Sequence, residues 1–66
     1  MKDLATLPKQ IEEALENSVE NGYHTKGMDA PTLAADLQRY WCLGHLYVDA
    51  EITAAILEVR NTREDL

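Results

Sequence analysis

The residues of this chain best suited to chemistry are Cys42, His45 and His24. Cys42-Leu43-Gly44-His45 has a Cys-x-x-His spacing that can bind zinc. A structural zinc ion takes about four protein ligands, usually Cys and His. The chain holds one cysteine and two histidines, so a carboxylate would have to complete the site, and no metal or other cofactor is expected. As a nucleophile and base, the same pair lacks any neighbouring signature of an oxyanion hole. A chain of 66 residues also leaves little room for a substrate pocket.

Carboxylates form the second set. Glu12, Glu16 and Glu20 stand at i, i+4 and i+8, with Glu13 beside them. On a helix they make one acidic ridge opposite Ile11, Leu15 and Val19, and only Lys9 is placed to relieve it. Acid–base catalysis needs a partly desolvated setting that drives two pKa values apart. A convex polar ridge offers charge without that setting. The chain has no glycine-rich phosphate loop, G-x-S-x-G, H-E-x-x-H or EF-hand spacing. No catalytic residue is assigned, and no enzymatic activity is expected.

Three helices must position these groups. The first is expected over about residues 7–21, with Thr6 as N-cap, Pro8 in the first turn and Gly22 as a left-handed stop. The second is expected over 30–43, capped by Asp29, with Leu33, Ala34, Leu37, Tyr40 and Trp41 on one face. The third is expected over 50–60 after Asp49, with Glu51 complementing the helix dipole and Val48 acting as a staple. His45 to Val48 is short and β-prone, and reads as an extended segment whose partner would be residues 23–26 or a second chain. Residues 1–5 and 62–66 are expected to fray.

The fold class that follows is mainly all-α: one domain, residues 1–66, of three helices with a short extended segment between the second and third. The expected core is Ile11, Leu15, Val19, Leu33, Leu37, Trp41, Ile52, Ile56 and Val59. Leu57 and Ala54 fall outside it, on the far side of the third helix. Tyr47, alternating with Leu46 and Val48, is expected to face outward. Cys42 falls away from Leu33 and Leu37.

Size and charge narrow the function. A chain this short buries only about 60% of the surface that it exposes when unfolded. Its single cysteine rules out an intrachain disulfide staple, and a reduced thiol fits an intracellular setting. The first six residues, Met1-Lys2-Asp3-Leu4-Ala5-Thr6, lack the apolar stretch of a signal peptide, and no run is long enough for a membrane span. A cytoplasmic protein is expected.

Twelve acidic and six basic residues give a net charge of −6, a poor surface for phosphates and a better one for a basic partner. The stretch Leu33-Ala34-Ala35-Asp36-Leu37 resembles the opening of a helix-turn-helix. The turn comes too late, however, and Asp49-Ala50-Glu51 would point carboxylates at DNA.

The expected function is a small acidic protein–protein interaction module, an adaptor, inhibitor or regulatory subunit, that self-associates as a dimer. Its contacts would be Glu12, Glu16, Glu20, Tyr47, Ala54 and Leu57. Neither nucleic acid nor membrane is an expected partner. One alternative is a nucleic-acid mimic that inhibits a DNA- or RNA-binding protein, with the ridge joined to Asp36, Asp49 or Glu58. A metal protein or enzyme using His24, Cys42 and His45 is the remaining one.

Overall fold

The computed structural model describes residues 3–40 and 46–66. Three helices follow one another: α1 (Leu7–Glu20), α2 (Ala30–Tyr40) and α3 (Asp49–Thr62), with a 3-10 turn at Thr25–Gly27 between the first two. The chain is an all-α domain, with no strand among the described residues. Where an extended segment was expected, Leu46 lies in a turn and Val48 has extended backbone, at φ −89° and ψ 163°. His45, Trp41, Cys42 and Leu43 lie outside the described residues.

Spacing explains which face of α1 is buried. Leu7, Ile11, Ala14 and Leu15 are within 2% of full burial. Val19, expected beside them, is 43% exposed. Each i+4 step turns the side chain about 40° further around the axis. The row Ile11–Leu15–Val19 therefore winds off the buried face by its third member, and Ser18 occupies the inward direction instead.

The ends of α1 use different devices. Thr6 holds the N-cap position as expected, but its backbone is helical and its side chain makes no cap bond. Its hydroxyl instead donates to the Asp3 carbonyl at 3.2 Å and accepts from the Gln10 amide at 3.2 Å. At the C-terminus, Gly22 N–H donates to Val19 O and Tyr23 N–H to Ser18 O, each at 3.0 Å. This paired closure requires a left-handed residue, supplied by Gly22 at φ +91°.

Asp29 caps α2 as its type predicts. Its carboxylate accepts the Thr32 hydroxyl at 2.8 Å and the Thr32 backbone N–H at 3.3 Å. These bonds, the hydroxyl first, hold the Asp29 carboxyl below its ordinary value of 3.8. Ala30, Leu33, Ala34 and Leu37 turn inward.

On α3, Asp49 is the first helical residue and Val48 takes the cap position. Glu51 reaches back to accept the Val48 backbone N–H at 3.0 Å, the reciprocal half of a capping box. Val48 is 59% exposed, so it does not act as a staple. Ile52, Ala55, Ile56 and Val59 face inward. α3 is the central element: it packs against both α1 and α2, which scarcely touch each other.

Asp3 and Leu66 depart from the fraying expected of residues 1–5 and 62–66, and residues 1 and 2 lie outside the described residues. Leu66 is 2% exposed and belongs to the core. Arg60 secures it, donating from Nε to the Leu66 carbonyl at 3.2 Å and from a terminal nitrogen to the Thr25 carbonyl at 2.7 Å. One guanidinium thus joins α3, the loop after α1 and the C-terminal segment. At the other end, Asp3 is bonded to Tyr47 through its backbone.

Candidate interaction surfaces

Tyr47 is the clearest correction to the sequence-based site. Expected to face outward, it is 2% exposed, with its ring in the core. A buried phenol needs a partner for its hydroxyl, and Asp3 provides one. Gln38 donates to the Tyr47 carbonyl at 3.3 Å, fixing the backbone as well. Alternation with Leu46 and Val48 did mark Tyr47 as facing opposite to its neighbours. It is the neighbours that face solvent, at 45% and 59% exposure.

The acidic ridge is less free than its sequence implies. Arg63, just past the end of α3, sits 3.4 Å from Glu12 and 3.5 Å from Glu16. Glu12 lies on the flank of the buried face, within reach of that arginine, rather than opposite it. Arg63 also meets Asp65 at 2.9 Å. The Asp65 bond is the main cause that raises the Arg63 pKa, and Arg63 in turn holds the Asp65 carboxyl below its ordinary value. Glu13 and Glu20 remain exposed. Asp36 and Glu58 line different clefts, and Asp49 begins α3. Sequence spacing alone had no means of placing Arg63, which is 51 positions from Glu12.

Ala54 and Leu57 are where the pattern put them, on the outer side of α3. Leu57 is 54% exposed, and Ala50 and Ala54 are exposed beside it. Val48 stands at the helix start. A shallow cleft of about 230 Å³ opens between this side of α3 and the start of α1. Leu4, Pro8 and Ala54 line it together with Glu51 and Glu58. Leu4 is 55% exposed. The apolar surface thus runs from α3 onto the segment preceding α1.

His24 is exposed, and Cys42 and His45 fall outside the described residues. Among the described residues, no group of three or more His, Cys, Asp or Glu side chains is arranged to hold a metal ion. No helix among them is long and apolar enough to cross a membrane. No family model matches the chain, and no curated protein or solved structure matches it either.

Proposed function

We propose that this chain is a small protein–protein interaction module that self-associates through the outer side of α3. The observation that carries this reading is the apolar strip Ala50, Ala54 and Leu57, exposed on a helix whose opposite side already fills the core. A helix that is apolar on both sides has a second surface to cover. Leu4 and Pro8 extend the strip across the adjoining cleft. A standard interface takes about 800 Å² from each partner, so the contact needs that extension as well as Leu57. The exposed carboxylates, Glu20 and Glu13 among them, suit a partner with a basic surface. Cytoplasmic residence and a regulatory or inhibitory role belong to the same proposal.

The test is solution mass by light scattering behind size exclusion, over a dilution series. The expected result is a dimer that dissociates on dilution, and a monomer for Leu57→Glu at every concentration. A wild-type chain that is monomeric throughout would overturn self-association. Each protomer carries −6, so dimerisation opposes charge repulsion and should strengthen as salt screens it.

A further inference from the structure

Because α1 and α2 lie side by side on α3 with little mutual contact, a cleft of about 400 Å³ remains between the end of α1 and α2. Small-ligand sites span about 300–1,000 Å³. Met28, Leu33 and Leu37 give this cleft an apolar wall. Among the described residues that line it Asp36 is the one that carries a charge, and none of the ion pairs among the described residues involves it. Tyr23, also lining the cleft, is 68% exposed. Thr25 lines it too; the residue is 2% exposed, and its hydroxyl is buried without a hydrogen-bond partner. Buried hydroxyls are usually partnered, so this one retains an unused capacity for a hydrogen bond at the wall of the cleft.

We infer that this cleft binds a small organic ammonium ion, its apolar body against Met28, Leu33 and Leu37 and its charged head at Asp36. A carboxylate and an exposed aromatic face both attract a cation. An anion would meet Asp36 and the overall charge of −6. A neutral apolar molecule would leave a carboxylate unpaired beside it. The cleft lies between α1 and α2, away from the outer side of α3, so the inference stands independently of self-association.

The experiment is a titration of the isotope-labelled full chain, followed by amide chemical shifts, with three probes: phenethylamine, phenethyl alcohol and hydrocinnamate. Phenethylamine should give saturable shifts centred on Thr25, Met28, Asp36 and Leu37. It should bind at least about fivefold more tightly than the alcohol, a difference of about 1 kcal/mol, with hydrocinnamate weakest. Asp36→Asn should reduce the amine to the affinity of the alcohol, and Asp36→Glu should retain the preference. Equal affinities for amine and alcohol on the wild-type chain would overturn the assignment. So would saturation at other residues, or no saturable shift with any probe; these comparisons hold whether or not the variants fold.

Discussion

The Tyr47 hydroxyl accepts a hydrogen bond from the Asp3 backbone N–H and donates one to the Asp3 carbonyl, each at 3.1 Å. A side chain just before α3 thereby fixes the segment that leads into α1, 44 positions away. Tyr47→Phe keeps the ring and removes both bonds. It should cost about 1 kcal/mol, the usual net worth of a hydrogen bond, and should increase amide exchange at Asp3. Tyr47→Ala should cost about 3–5 kcal/mol in urea denaturation, as expected for a large buried ring. A near-neutral Tyr47→Ala would mean that the ring is not in the core.

Two alanine substitutions separate the buried face of α1 from its edge. Leu15→Ala should cost about 2–5 kcal/mol, because Leu15 is fully buried. Val19→Ala, at a position 43% exposed, should stay within about 0.5 kcal/mol of wild type. Comparable losses at both sites would place Val19 back in the core. Ile56→Ala and Leu37→Ala should match Leu15→Ala in scale.

Gly22 has open space around its missing side chain, so only its backbone conformation restricts substitution. At φ +91° an L-residue is strained. Gly22→Ala should therefore destabilise the chain by about 1–2 kcal/mol, while Gly22→Asn should cost less, since Asn tolerates this region better. Equal stabilities of wild type and Gly22→Ala would show that α1 does not close through a left-handed residue.

Acid should weaken the fold through two carboxylates. Asp29, bonded to Thr32, and Asp65, bonded to Arg63, both hold their protons less tightly when folded. The unfolded chain then takes up more protons as the medium is acidified, so stability falls with pH. Their contribution is complete above the ordinary carboxyl value of 3.8 and is lost as pH drops through the lower folded values. Urea midpoints measured from about pH 6 to pH 2.5 should decline, and the decline should be shallower in the double variant Asp29→Asn, Asp65→Asn. Parallel curves for the two proteins would remove these groups from the acid response.

Periodicity and punctuation made the three helices legible in the sequence. Apolar residues at helical spacing, Asp29 before α2 and Gly22 after α1 act within a few residues of themselves, and a local signal needs no knowledge of the rest of the chain. The outward setting of Ala54 and Leu57 followed for the same reason, as an angle around one helix. Partners distant in the chain were decided by the tertiary structure alone. Tyr47 turns inward because Asp3 can satisfy its hydroxyl. Arg63 relieves Glu12 and Glu16 because the end of α3 reaches the flank of α1. Leu66 is ordered because Arg60 holds its carbonyl. The cleft at Asp36 exists because α1 and α2 are each held by α3 and only weakly by each other. Each depends on how helices are set against one another, a choice governed by the packing of the whole core and written in no single window of the sequence.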